Sequence, residues 1–184
     1  MTMVAVSGLG PMGQALSNAL LDASLSLTAW NRTESKADAL RTRGATVAAT
    51  PAEAVVASGL TLINVVDHDA VDTVLGAAGE AVDGRVIVGL SSDTAGRARQ
   101  TAKLVDDRGG RYLDGAIMTP TTTIGTPSAG ILSLALGMCS TAIATCSRRW
   151  AQRPGSARIT AAPPPSTCRC SICSGHRSAG SSTR

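Results

Sequence analysis

The chain has 184 residues, enough for one domain and a remainder, and its 43% apolar share can build a core despite only two Trp, one Tyr and no Phe. Its net charge of +4 is split: thirteen acidic and ten basic residues lie at or before Asp114, whereas seven Arg and no acid follow it. No run of about twenty apolar residues is present to span a membrane, and the first residues lack a secretory leader's basic start and apolar stretch, so a cytoplasmic protein is expected.

In chain order, Met3–Ser7 is an apolar, β-branched run and predicts a strand. Gly8-Leu9-Gly10-Pro11-Met12-Gly13 follows, and helical periodicity starts at once through Gln14–Leu21. A G-x-G-x-x-G turn in this strand–turn–helix setting points to a dinucleotide site. Gly8 permits the tight turn, Gly10 lets the backbone approach a pyrophosphate, and Gly13 lets helix and strand pack closely. Free N–H groups at the helix start face the anion, aided by the helix dipole.

Ser26–Trp30 alternates as a second strand, and Asn31-Arg32-Thr33 stands at its end. A free ribose 2′-hydroxyl is usually met here by Asp or Glu, because a carboxylate accepts its hydrogen bonds. An arginine between two neutral polar residues instead suits a 2′-phosphate, which a guanidinium can grip through two N–H groups. Lys36 adds positive charge one turn on. NADP is therefore expected rather than NAD; the plainer reading of the segment is a polar turn with a helix cap at Thr33.

The expected helix runs from Glu34 to Arg43 and stops at Gly44. Thr46–Ala48 is a short strand, and Thr50-Pro51 opens a short helix. Leu60–Val66 is the strongest strand, apolar nearly throughout as a buried parallel strand should be. A helix from Asp69 to Gly76, a strand Arg85–Leu90, a helix Thr94–Arg108 and a strand Arg111–Gly115 complete the alternation. The fold class expected is α/β, a Rossmann-type doubly wound, mainly parallel sheet.

Val65, Val66, Asp67 and Ser91 lie in the loops after two of these strands, where such sheets bind ligands. They are expected to face the cofactor's ribose and nicotinamide. Asp93 and Thr94 serve equally well as helix caps. His68, beside two Asp in a loop, reads as a solvated surface residue.

From Thr119 the texture is loop-like, with a short strand expected at Gly130–Leu132. Beyond it there is no sustained period, and Pro163-Pro-Pro165 among many Ser, Arg and Ala argues against packing. The expected division is a domain over 1–132 and a disordered tail over 133–184. Cys168-x-Cys170-x-x-Cys173-x-x-His176 is too compressed for the familiar zinc spacing, so no metal is expected. The scattered Arg with a single nearby aromatic, Trp150, do not make a nucleic-acid arm.

Taken together, these motifs resemble the β-hydroxyacid dehydrogenase superfamily (3-hydroxyisobutyrate and 6-phosphogluconate dehydrogenases), and within it the imine reductases. The matching pieces are Gly8–Gly13, Asn31-Arg32-Thr33, Leu90-Ser-Ser-Asp-Thr94 and Tyr112-Leu-Asp-Gly-Ala-Ile-Met-Thr-Pro120, continued by Ile124-Gly-Thr-Pro127 and Gly130-Ile-Leu132. The resemblance implies NADPH as cofactor, a small-molecule imine or carbonyl substrate, and a homodimer. It implies neither a nucleic-acid nor a membrane partner. Met118 falls where hydroxyacid enzymes carry a substrate-binding Ser, which fits the imine-reducing branch; a 3-hydroxyisobutyrate-type enzyme or a non-catalytic NADP-binding module is the alternative. Relatives continue into a helical domain that supplies the proton donor and the dimer contact, and nothing after Leu132 matches it. Catalytic residues are thus not assigned, and little turnover is expected of this chain.

The tail's Arg, Ala, Pro, Ser and Cys are what GC-rich coding sequence gives out of frame. Shifting the frame by one base near the Leu132 codon allows an ILxSGP strand and an AAAxDxxLLDLFW helix like those of imine reductases. The expectation is that 133–184 is an out-of-frame sequence.

Overall fold

The computed structural model describes residues 3–126, 130–134 and 158–161, the last two segments as strand backbone. Eight strands form one sheet: β1 (Met3–Ser7), β2 (Ser26–Trp30), β3 (Thr46–Val47), β4 (Leu60–Ile63), β5 (Val86–Gly89), β6 (Arg111–Ile117), β7 (Gly130–Leu134) and β8 (Arg158–Ala161). Their order is β3-β2-β1-β4-β5-β6-β7-β8. The pairs from β3 to β6 are all parallel, β7 runs antiparallel to β6, and β8 is parallel to β7. This is the expected α/β, Rossmann-type doubly wound sheet. β7 runs through residue 132, and β8 lies within the segment 133–184. Pro127, Trp150, Pro163–Pro165, all five Cys and His176 lie outside the described residues.

Five helices connect the parallel strands: α1 (Pro11–Asp22), α2 (Asp38–Thr42), α3 (Pro51–Val56), α4 (His68–Ala78) and α5 (Ala95–Asp106). Strand alternation divides the side chains between the two faces of the sheet. One face carries Val4, Val6, Leu27 and Ala29 against Leu20 of α1 and Leu40 of α2, and further along Val88, Leu90 and Leu113 against Leu16. The other carries Ile63, Ile87 and Tyr112 against Val55, Val71, Val74, Leu75 and Val105 of α3, α4 and α5.

α2 has five residues, and its Leu40 is fully buried, so truncation to Ala should cost about 2–5 kcal/mol by leaving a cavity in that face. The expected single helix from Glu34 begins instead as a 3-10 turn over Glu34–Ala37. α3, α4 and α5 each have a side-chain cap: Thr50 accepts from the Glu53 N–H, Asp67 from the Ala70 N–H and Thr94 from the Arg97 N–H. α1 and α2 have none, their cap positions being Gly10 and Ala37.

The strand order reverses between β1 and β4. The loop after β1 therefore sits at the switch point, where the chain leaves the sheet in opposite directions and a crevice opens.

Candidate functional site

The glycine turn is fixed by backbone packing. Gly8 has φ +96°, a conformation that favours glycine, and its N–H donates to the Trp30 carbonyl at 2.9 Å. A Cβ there would lie 2.2 Å from the Asn64 carbonyl oxygen. At Gly13 a Cβ would lie 1.9 Å from the Gly8 carbonyl oxygen, so the helix can approach the turn only as glycine.

Gly10 differs from both. Its φ of −68° and ψ of −178° suit any residue, and a Cβ would meet nothing within 4 Å. Neither backbone conformation nor protein packing requires glycine there; the space beside it is open toward a ligand. The first helical bond of α1 is the Gln14 N–H to the Gly10 carbonyl at 2.9 Å, so Met12 and Gly13 precede it with N–H groups that the helix does not use. Pro11 fills the first helical position, where a missing N–H costs nothing. Leu9 is buried and Met12 packs beside Leu16 and Leu113, which anchors the turn to the core.

Asn31 ties the second motif to the first. Its Oδ1 accepts from the Leu9 N–H at 2.9 Å, and its Nδ2 donates to the Thr33 carbonyl at 2.9 Å. Asn31 is thus an internal brace that sets the spacing between the turn and the end of β2. Arg32, Thr33 and Lys36 are exposed, and among the described residues none of their side chains has a hydrogen-bond or ion-pair partner. Thr33 does not cap the 3-10 turn, so its hydroxyl stays free. Gln14 of α1 reaches the Lys36 backbone carbonyl and holds this segment against the helix that carries the glycine turn. Nearby Arg41 and Arg43, by contrast, are spent on Glu34 and Asp38, and on Asn18 and Asp22. Of the four cations between Arg32 and Arg43, the two unspent ones are Arg32 and Lys36, next to Asn31, which bonds the glycine turn.

β4 ends at Ile63, so Asn64–Asp67 leaves the sheet as a loop. Val66 is 87% exposed, whereas Val65 packs partly on the core. The Asp67 side chain accepts from the Ala70 N–H at 2.8 Å and so begins α4. The hydroxyl of buried Ser91 donates to the Val65 carbonyl at 2.7 Å, joining the loops after β4 and β5. Met118 follows β6 and is 71% exposed.

His68 corrects the sequence reading. It is 1% exposed, not a surface residue. With Asp67 as cap, α4 starts one residue earlier than expected, and this turns the imidazole inward, where its nitrogens lie 3.6 Å from Asp93 and from Asp114. The Tyr112 hydroxyl lies 3.5 Å from the Asp114 carboxylate. Burial pushes both groups up from their ordinary pKa ranges, the phenol furthest. No local signal marks this cluster, because its members come from three separate segments. Among the described residues, no group of His, Cys, Asp and Glu is arranged to hold a metal ion.

Residues 3–122 match the family described as the NAD binding domain of 6-phosphogluconate dehydrogenase. The chain is 36% identical over 129 residues to an NADPH-dependent reductive aminase of Aspergillus oryzae, covering 70% of this chain and 44% of that protein. Among solved structures, an imine reductase of Streptomyces aurantiacus superposes with a TM-score of 0.78 at 41% identity, over 87% of this chain and 56% of that one. A reductive aminase of Aspergillus terreus in complex with NADPH and ethyl levulinate gives 0.77 at 33% identity, over 88% and 55%. The chain thus spans about half the length of the relatives it matches.

Proposed function

The chain belongs to the family of the NAD binding domain of 6-phosphogluconate dehydrogenase, and from that premise we propose that it is the NADPH-binding half of an imine-reductase-like oxidoreductase. The observation that carries this reading is the open space at Gly10 together with unpaired Arg32, whose neighbour Asn31 bonds the glycine turn at Leu9. The residues present fit the cofactor. The N–H groups of Met12 and Gly13 would hold the pyrophosphate, and Arg32, Thr33 and Lys36 would hold the 2′-phosphate, with Asn31 keeping the two sites at a fixed spacing. Val65, Val66, Asp67 and Ser91 shape the crevice further along. NADPH, when bound, supplies a hydride to the carbon of a C=N bond.

The substrate is a small-molecule imine or carbonyl compound. Exposed Met118, in place of a polar anchor, favours an apolar imine over a hydroxyacid. The whole enzyme is a cytoplasmic homodimer, and no nucleic acid or membrane is a partner. Among the described residues no helix is long and apolar enough to cross a membrane. Residues 133–184 are read out of frame and replace the sequence that would donate the proton.

The test is a frame-repaired chain assayed with NADPH on cyclic imines and on 3-hydroxyacids in parallel. Reduction of the imines is expected. Turnover of hydroxyacids alone would move the chain to the dehydrogenase branch, and NADPH binding without either activity would leave a binding module.

A further inference from the structure

We propose that His68, Asp93 and Asp114 form a proton-sharing clamp that locks together the segments at the C-terminal ends of β4, β5 and β6, with His68 as its positioning residue. His68 opens α4, and both of its ring nitrogens are buried without a hydrogen-bond partner. Nδ1 lies 3.6 Å from Asp93 Oδ2, and Nε2 lies 3.6 Å from Asp114 Oδ1. A neutral imidazole offers one donor and one acceptor. Between two ionised carboxylates it would satisfy one and turn a lone pair on the other, and that ring nitrogen is sealed from water although both carboxylates keep an exposed side and Asp93 also accepts from the Thr94 N–H.

One additional proton resolves this in either of two ways. It can sit on the ring, so that both N–H groups donate, or on Asp114, whose O–H then donates to Nε2 while Nδ1–H donates to Asp93. The two arrangements differ by transfer of one proton along the Nε2···Oδ1 line, and both leave the cluster with a single negative charge. The burial that lifts the Asp114 carboxyl acts in the same direction.

The surrounding charges do not remove the need for that proton. On α4 itself, Asp69 and Asp72 are paired with Arg97 of α5, and Thr101 donates to Asp72 at 2.9 Å. Asp67 is committed to the α4 cap. From β6, Tyr112 offers Asp114 a neutral hydroxyl at 3.5 Å. Among the described residues, neither Asp93 nor Asp114 pairs with a Lys or Arg.

The clamp spans the segments that shape the crevice. His68 follows directly on Val65–Asp67, Asp93 stands two residues after Ser91, and Ser91 already bonds the Val65 carbonyl. With the proton present, these two loops and β6 keep one register. Loss of the proton at high pH leaves one buried ring nitrogen facing a carboxylate with no donor between them and frees the loops. The effect on cofactor affinity rests on the proposed NADPH site, whereas the sharing of the proton does not.

The experiment uses the full chain with isotope-labelled histidine, followed by NMR from about pH 6 to about pH 9, with NADPH affinity measured across the same range. There are two histidines, and a His68→Gln variant assigns the signal of His68 against that of His176. NADPH binding is expected to weaken roughly tenfold as the cluster loses its extra proton, about the worth of one charge-assisted hydrogen bond. In Asp114→Asn the amide donates to Nε2 without the extra proton. That variant should therefore hold the imidazole as one neutral tautomer and lose the weakening of NADPH binding at high pH. His68→Phe should weaken binding at every pH. A His68 ring signal whose dependence on pH is unchanged by Asp114→Asn would overturn the clamp. A chain that binds no NADPH, yet whose His68 signal responds to Asp114→Asn, would overturn the cofactor reading and support the clamp.

Discussion

Two glycines three residues apart make opposite predictions when each is changed to alanine. At Gly13 the new methyl carbon would lie 1.9 Å from the Gly8 carbonyl oxygen, well inside any real contact, and the atom it meets is backbone that no rotamer change can move. Relief requires α1 to move away from the turn by more than an ångström, which also withdraws Leu16 and Leu20 from the sheet. Overpacking of this kind costs about 3 kcal/mol, so Gly13→Ala should lower Tm by roughly 10 °C in a domain of this size. Gly10 already has dihedral angles that alanine adopts, and a methyl group there meets nothing within 4 Å. Gly10→Ala should therefore stay within about 1 kcal/mol of the parent in stability, a figure set by the modest preference against Ala at a helix cap. Its methyl group nevertheless occupies the space where a pyrophosphate must approach, so NADPH affinity should fall by at least about tenfold. Thermal melts monitored by circular dichroism, paired with NADPH fluorescence titration, separate the two effects. A Gly10→Ala protein that binds NADPH like the parent, or a Gly13→Ala protein that melts like it, would refute the reasoning.

Further expectations follow from single contacts. Ser91→Ala removes the 2.7 Å bond to the Val65 carbonyl and should cost about 1 kcal/mol in stability with a several-fold weaker NADPH Kd, read by the same melt and titration. At Gly89 a Cβ would lie 1.9 Å from the Tyr112 hydroxyl oxygen, so Gly89→Ala should destabilise; Tyr112→Phe in the same chain should recover part of the loss, and a strictly additive double-mutant cycle would exclude that contact. Burial pushes the Tyr112 phenol above its ordinary value of about 10, so the neutral form is the one the fold prefers. That contribution is fully present below about pH 10 and is lost as the pH rises and the unfolded chain ionises first; Tyr112→Phe should flatten the alkaline limb of a stability–pH curve. The Asp114 carboxyl is likewise raised by burial, so its charged form is disfavoured in the fold at neutral pH, and Asp114→Asn should melt no lower than the parent at pH 7.

What could be read from the residues was whatever depends on neighbours in the chain. The glycine turn, the apolar run at Leu60 and the alternation of strands with helical stretches are local, and the doubly wound sheet follows from them. Ends of elements were less legible. β4 stops at Ile63 although Val65-Val66 continues the apolar run: the Asn64 N–H makes the last bond to β1, at the Ser7 carbonyl, and its side chain reaches across to the Leu90 carbonyl. The turn after Arg32 is a 3-10 segment that no periodicity distinguishes from the start of an α-helix. In the site, Arg32 was visible as a cation where an acid is usual, but the bracing role of Asn31 was not, since its partner Leu9 is twenty-two residues away. Asp67 shows the same limit, its carboxylate serving the α4 cap. A polar residue between two Asp reads as solvated, whereas the groups that face the buried His68, Asp93 and Asp114, stand twenty-five and forty-six residues further along the chain.

The claim at the centre of this account is that the turn at Gly8–Gly13 and the guanidinium of Arg32 hold a cofactor bearing a 2′-phosphate. Equilibrium fluorescence titration of the intact chain with NADPH and with NADH, repeated on Arg32→Ala, measures it directly. Arg32 should contribute about 1.5–3 kcal/mol through charge-assisted bonds, so the parent should prefer NADPH by roughly 10- to 100-fold and the variant should lose that preference while its NADH affinity stays unchanged. Equal affinity of the parent chain for the two cofactors would contradict the account.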